Sequence, residues 1–223
     1  MAPDGKKCLG TKREKSQKGI KLLAIVGSQR EYGNSFLLTK EALKAFGVIE
    51  YEIVQLADKE IKFCNVCGKC RSIECPLQDD FNEVLEKMKK ADGIIFAFPK
   101  YLFGVPTKLL CFLERLDVIH HFRRQVESDY IEELRVKEIL SPPLEGKPCC
   151  LFVVTDPKEN AEDCLTIVAD EVKSIGMKLV LYGSQLGAHA KGKLRGEVLR
   201  DKKGIEECRK LLRKLIDSIS FKI

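Results

Sequence analysis

Leu22-Leu23-Ala24-Ile25-Val26, followed at once by Gly27-Ser28-Gln29-Arg30-Glu31-Tyr32-Gly33-Asn34-Ser35, is the stretch from which the fold can be read. Five consecutive apolar residues suit a parallel strand buried on both faces. The Gly/Ser/Asn loop that ends the strand leads into a segment with Leu38, Ala42, Ala45 and Phe46 on one helical face and Gly47 as its stop. In a strand, polar loop, helix unit the loop aims backbone N–H groups and hydroxyls at the helix N-terminus. Partial positive charge gathers there, so the unit suits a phosphate. Neither the Gly-Lys-Ser/Thr of a Walker loop nor a G-x-G-x-x-G fingerprint is present. Simple capping of the helix by Asn34 or Ser35 explains the same residues equally well.

Outward from this unit the chain repeats the alternation. Val48 to Leu56 alternates imperfectly, with Ile49, Tyr51 and Ile53 on one face, as in an edge strand. Phe81, Val84, Leu85 and Met88 share a helical face behind a cap at Asp79 or Asp80, with Glu83 completing a capping box. Ile94 to Phe98 is a second fully apolar strand ended by Pro99, and a helix follows through Leu109, Phe112 and Leu113. Pro148 to Thr155 is another strand, Ala161 to Ile175 a helix closed by Gly176, and Leu179 to Tyr182 the last strand. A Gly-rich loop from Gly183 to Gly196 precedes a final amphipathic helix through Ile205, Cys208, Leu211, Leu212 and Leu215. Residues 1–19 read as a basic arm, 20–223 as a single domain, and 117–147 as an insertion with a short helical pattern over 130–139. The insertion carries His120 and His121, whose spacing is not that of a helical metal pair and which are expected at a surface or interface.

Composition limits the choices. A chain of 223 residues with 44% hydrophobic and 32% charged residues has enough apolar mass for one well-filled α/β domain. No run of 18 apolar residues occurs, so no membrane span is expected. No apolar h-region follows the basic arm, so the expected compartment is cytoplasmic, where ten cysteines serve metal or redox chemistry more than bridging. A net charge of +6 suits an acidic redox partner. Nucleic acid is not expected, because no aromatic-laced basic stripe or DNA-reading motif appears.

Four of the cysteines stand together as Cys64, Cys67, Cys70 and Cys75, a C-x2-C-x2-C-x4-C pattern with Pro76 behind it, in a loop over residues 60–78. Three cysteines spaced by two residues can wrap one compact inorganic core, as in ferredoxin-type ligation of a [4Fe-4S] cluster. Zinc is a rival, although structural zinc sites usually pair two short knuckles across roughly 12 to 20 residues. Disulfides or free thiols are the remaining alternative.

Five strands alternating with helices predict a doubly wound parallel sheet that binds ligands at the C-terminal ends of its strands. The loops at 27–35, 57–78, 99–106 and 155–160 all lie at such ends. The third, Pro99-Lys100-Tyr101-Leu102-Phe103-Gly104-Val105-Pro106, is stiffened by two prolines and offers flat aromatic faces. Alone it could be a rigid connector whose aromatics fill core. A phosphate cradle facing an aromatic loop describes an FMN site in the flavodoxin-like order 2-1-3-4-5.

The segment GSQREYGNS resembles the Ser-Pro-Arg-x-x-x-Asn-Thr/Ser phosphate loop, and PKYLFGVPTKLLCFLER the flavin-ring loop, of the flavodoxin-like NADPH-dependent FMN reductase superfamily. With CNVCGKCRSIECPLQDDF between them the chain resembles an archaeal-type iron-sulfur flavoprotein over roughly residues 20 to 216. The resemblance implies cluster ligation by Cys64, Cys67, Cys70 and Cys75. It implies an FMN phosphate held by Ser28, Arg30, Asn34 and Ser35, and an isoalloxazine ring lined by Pro99, Tyr101, Leu102, Phe103 and Gly104, with Lys100 in the same loop and Thr155 touching the flavin. It also implies a homodimer or homotetramer. The chain departs from the pattern at Gln29, where proline is usual, at Lys100, where an aliphatic is common, and at Glu114-Arg115, where Asp-Arg is usual.

The expected activity is electron transfer through [4Fe-4S] to FMN, with ferredoxin or a similar one-electron donor and a quinone, oxygen or peroxide as acceptor. An NAD(P)H-dependent FMN or quinone reductase with a structural zinc or degenerate cysteine loop is the enzymatic alternative. A redox or metal sensor is the alternative of another class. No general acid or base is evident in any of these. If the Lys100 ammonium approaches the flavin it would favour the anionic hydroquinone and raise the potential; a solvated lysine is the plainer reading.

Overall fold

The apolar runs find one another as the middle of a single sheet. The computed structural model describes residues 19–220, apart from Val48, Ser72, Phe103 and 130–141. Strand β1 (Lys21–Val26) pairs in parallel with β2 (Glu50–Gln55) on one side and with β3 (Gly93–Pro99) on the other. Strand β4 (Pro148–Thr155) pairs in parallel with β3, and the order across the sheet is β2-β1-β3-β4-β5. The central strands β1, β3 and β4 are buried on both faces, whereas β2 at the edge exposes Glu50, Tyr51 and Glu52, the contrast expected when helices cover a parallel sheet.

Helices α1 (Asn34–Leu43) and α5 (Lys202–Ser220) cover one face, packing Leu38, Ala42, Leu211, Leu212 and Leu215 onto Leu22, Ala24, Ile95 and Phe152. Helices α2 (Phe81–Lys90), α3 (Thr107–Asp129) and α4 (Glu162–Ser174) cover the other with Phe81, Met88, Phe112, Leu116 and Val168. Each fully buried Leu, Ile or Phe of these layers contributes about 1.5–3 kcal/mol relative to exposure. Among the described residues no helix is long and apolar enough to cross a membrane.

The structure departs from the sequence expectations in four places. The fifth strand position is divided: β5 is only Lys178–Leu179, beside Pro148 and Cys149, and β6 (Ala188–Lys191) takes over beside Phe152 to Thr155. Val180 to Tyr182 therefore does not continue the strand. Helix α3 runs on to Asp129, so residues 117–129, expected as a connection, are helix. His120 is buried, with Nε2 3.7 Å from the Glu145 carboxylate, rather than at a surface. Asp80 occupies the N-cap of α2 without a capping bond of its own; the Asp79 carboxylate accepts from the Phe81 N–H at 3.3 Å instead, and the expected capping box with Glu83 does not form. The basic arm over residues 1–18, Phe103 and the helical pattern over 130–139 lie outside the described residues.

Candidate functional site

The C-terminal ends of β1, β3, β4 and β6 open onto one cleft of about 210 Å³. Its lining includes Ser28, Arg30, Asn34 and Ser35 from the first loop, Pro99 to Leu102 from the third, Thr155 from the fourth, and Gly192, Lys193 and Arg195 after β6. Whole ligands usually take roughly 300–1,000 Å³, so the enclosed part suits one end of a nucleotide, the rest lying at the open mouth.

The first loop is tied down along its length. The Gly27 N–H donates to the Ala97 carbonyl at 2.8 Å, and the Tyr32 N–H donates to the Gln55 side-chain oxygen at 2.8 Å. A Cβ on Gly27 would stand 2.8 Å from Leu109, so only glycine lets β1 and α3 approach this closely. The Ser28 hydroxyl accepts from the Arg30 N–H at 3.0 Å and shares a 3.3 Å hydrogen bond with the Tyr101 hydroxyl, joining the first loop to the third. Gly33 is the N-cap of α1 without a side-chain cap, so neither Asn34 nor Ser35 does the capping that the sequence also allowed. The first-turn N–H groups are left without intrahelical partners.

Two features of this end of the cleft bear on what it could hold. The Ser35 hydroxyl is buried and has no hydrogen-bond partner among the described residues. Arg30 and Arg195, both exposed, are among the residues that line the cleft, and among the described residues neither side chain has an ion-pair or hydrogen-bond partner. A buried hydroxyl at a helix N-terminus beside two unmatched cations fits a phosphate.

Asn34 has a different place from the one expected. Its amide nitrogen donates to the carbonyls of Gly192 and Leu194, both at 2.9 Å, and its oxygen accepts from the Gly196 N–H at 2.7 Å. The side chain therefore ties α1 to the loop after β6.

In the third loop Tyr101 and Gly104 exchange backbone hydrogen bonds of 3.0 and 2.8 Å, which closes a tight turn. Leu102 at its tip has φ +48 and is 84% exposed, a strained conformation held at the surface rather than in the core. Gly104 closes the turn from behind and is not part of the cleft lining. The Lys100 ammonium reaches the two carboxylate oxygens of Asp163 at 2.7 and 3.0 Å and the Asn160 carbonyl at 3.3 Å. The hydrogen bond to Asp163 holds Lys100 above the ordinary lysine range. Thr155, buried at the end of β4, shares a 2.7 Å hydrogen bond with His189 Nε2, and burial pushes this imidazole below the ordinary histidine range.

The four expected cysteine ligands lie apart from this lining. Cys64, Cys67, Cys70 and Cys75 all line one crevice with Arg115, Val118 and Ile119 of α3. Burial, followed by its neighbours Cys75, Cys64 and Cys67, pushes the Cys70 thiol up against one lowering backbone hydrogen bond. Among the described residues, however, no group of three or more His, Cys, Asp or Glu side chains has a geometry that would hold a metal ion. The expected ligand cluster is thus gathered but not closed: Cys67 is exposed and Cys70 buried. The neck of the loop is fastened by the buried ion pair of Arg115 with Asp79. Arg115 also donates to the Lys62 carbonyl at 3.1 Å and to Cys75 Sγ at 3.2 Å, and its guanidinium stacks 3.9 Å above the Phe81 ring.

Sequence reasoning missed Lys193, Arg195 and Arg115. The run Lys191-Gly192-Lys193-Leu194-Arg195-Gly196 carries the signal for the first two, since glycines and cations alternate in it. Arg115 was noticed only as part of the Glu114-Arg115 departure from the family pattern, and its role was not, because its partners are 36 to 53 residues away.

Residues 20–161 match the family model for NADPH-dependent FMN reductase. An iron-sulfur flavoprotein of Methanocaldococcus jannaschii is 44% identical over 99 residues, 43% of this chain and 51% of that protein. An iron-sulfur flavoprotein of Methanosarcina thermophila is 34% identical over 99 residues, 43% of this chain and 52% of that protein. The chain thus spans about half the length of the curated relatives it matches. Among solved structures, the NAD(P)H:quinone oxidoreductase from Methanothermobacter marburgensis superposes with a TM-score of 0.59 at 16% identity, over 88% of this chain and 96% of that one, which shows a shared fold.

Proposed function

Since the chain belongs to the NADPH-dependent FMN reductase family, we propose that it binds FMN in the cleft at the ends of β1, β3 and β4 and works as an NAD(P)H-dependent flavin oxidoreductase with a small-molecule acceptor such as a quinone. The observation that carries this reading is the buried Ser35 hydroxyl at the α1 N-terminus, without a hydrogen-bond partner among the described residues, in a cleft that Arg30 and Arg195 also line. It lies where the sheet order reverses, between β1 and β3, the place where open α/β sheets bind ligands. FMN, when bound, supplies an acceptor of one or two electrons.

The chain's own residues bind and orient. Ser28, Ser35 and Arg30 face the phosphate end, and the Ser28–Tyr101 hydrogen bond fixes the third loop relative to it. The Tyr101–Gly104 turn presents Leu102 at the mouth, where an apolar side chain excludes water from one face of a flat ring. Purified chain reconstituted with FMN should show bound-flavin absorbance and oxidise NADPH or NADH in the presence of a quinone. Failure to retain flavin, or no nucleotide oxidation above free FMN, would contradict the reading.

A second reading concerns the cysteine loop: we infer that Cys64, Cys67, Cys70 and Cys75 ligate a [4Fe-4S] cluster that exchanges electrons with ferredoxin or a similar one-electron donor. Its support is the convergence of the four thiols on one crevice, with the buried Arg115 donating to Cys75 Sγ and the buried Arg123 to the Cys70 carbonyl, both at 3.2 Å, cations that suit an anionic centre. The printed names of relatives up to 44% identical agree with it. Anaerobic purification tests this separately. Iron and sulfide near four each per chain with broad brown absorbance support the cluster; zinc, or metal-free thiols, sink it while leaving the flavin reading intact.

A further inference from the structure

We propose that Arg195, on the loop after β6, is a second phosphate-binding arm of the cleft, and that it makes the site selective for a flavin ending in a phosphate monoester. This rests on the flavin reading above and goes beyond the first loop, which supplies only one wall. The opposite wall is the segment from Gly192 to Gly196, and it is held there by design of the sequence. Asn34 ties it to α1 through three hydrogen bonds of 2.7 to 2.9 Å. The Glu197 carboxylate accepts from the Lys193 and Leu194 N–H groups at 2.9 and 2.8 Å, and the Gly192 N–H donates to the Thr155 carbonyl at 2.9 Å. A Cβ on Gly192 would stand 2.6 Å from the Val198 nitrogen, so the close approach needs glycine.

The charges sort themselves accordingly. Four cations and two carboxylates, Asp156 and Glu159, line the cleft. Lys100 is bound by Asp163, and Lys193 stands 3.2 Å from Asp156, cancelling a carboxylate that would otherwise repel an anion. Arg30 and Arg195 remain, one on each wall, against the single carboxylate of Glu159. A phosphate monoester carries between one and two negative charges near neutral pH and three acceptor oxygens, which matches two guanidinium forks and the Ser35 hydroxyl. An uncharged ribityl alcohol matches none of them.

The test is a fluorescence-quenching titration with FMN and with riboflavin, on the unaltered chain and on Arg195→Ala and Arg195→Lys. Arg195 is exposed and has no ion-pair or hydrogen-bond partner among the described residues, so its removal takes no contact from the fold they form. The expected result for Arg195→Ala is FMN binding weaker by about tenfold or more, the scale of one charge-assisted hydrogen bond, with riboflavin binding unchanged. The salt dependence of FMN binding should fall in step, and Arg195→Lys should recover part of the loss. Unchanged FMN affinity, or an equal loss for FMN and riboflavin, would overturn the inference while the flavin reading stands. No FMN binding by the unaltered chain would overturn that reading and this inference together.

Discussion

Asn34 shows what a residue type can and cannot announce. Its position at the start of α1 was visible in the sequence, and so was its suitability for polar contact, but its partners lie about 160 residues away. Losing three hydrogen bonds in Asn34→Ala should cost about 2–3 kcal/mol by urea unfolding and loosen the loop after β6. Lys100 teaches the same lesson from the other direction. Its place in the flavin loop was legible, whereas the Asp163 that neutralises it was not. The FMN midpoint potential should therefore stay unchanged in Lys100→Ala, and a clear fall would show that the free ammonium faces the ring. His189 adds a pH dependence. Burial lowers its folded-state pKa below that of the unfolded chain, so its contribution to stability is complete above the unfolded value, about 6.5, and fades as pH falls from there toward the folded value. Thermal unfolding should show a drop in stability from pH 7.5 to 5.5 that is smaller in His189→Gln.

At the scale of elements, the runs that are apolar on both faces were the readable ones. Strand β4 was placed over Pro148 to Thr155 from its sequence and is found there. The fifth strand was misjudged because Leu179 to Tyr182 is apolar enough for a strand, yet only Lys178 and Leu179 pair before the chain leaves the edge and returns at Ala188. Helix α3 was cut short in the reading because residues 117–147, with the paired His120 and His121, were taken as a connection, whereas the helix runs on to Asp129. In the structure His120 and Arg123 are buried under neighbouring segments instead. Arg115 on this helix and Asp79 before α2 close the cysteine loop from inside. Asp79→Ala would leave a buried guanidinium without its carboxylate, and a loss of about 3–5 kcal/mol is expected. Limited trypsin digestion should then cut faster after Lys69 and Arg71; an unchanged cleavage rate and unfolding midpoint would show that the loop is held by something else.

For the whole molecule, the alternation of strands with helices announced a doubly wound parallel sheet, and reading the loops at its strand ends as an FMN site supplied the flavodoxin-like order 2-1-3-4-5, which the sheet has. The same order fixes where the cleft must lie. What the sequence could not convey was the second wall of that cleft and the internal fastening of the cysteine loop, since both are made by side chains brought together only by the finished fold. The account stands on FMN binding in the cleft, and thermal unfolding of the chain with increasing FMN, beside riboflavin, tests that most directly. A ligand at a hundred times its Kd adds about 2.7 kcal/mol, which for a chain of this size corresponds to a rise in Tm of roughly 5–10 °C. The account predicts a rise of this order that grows with the logarithm of FMN concentration and is much smaller with riboflavin. A Tm that does not move with FMN up to millimolar concentration would contradict it.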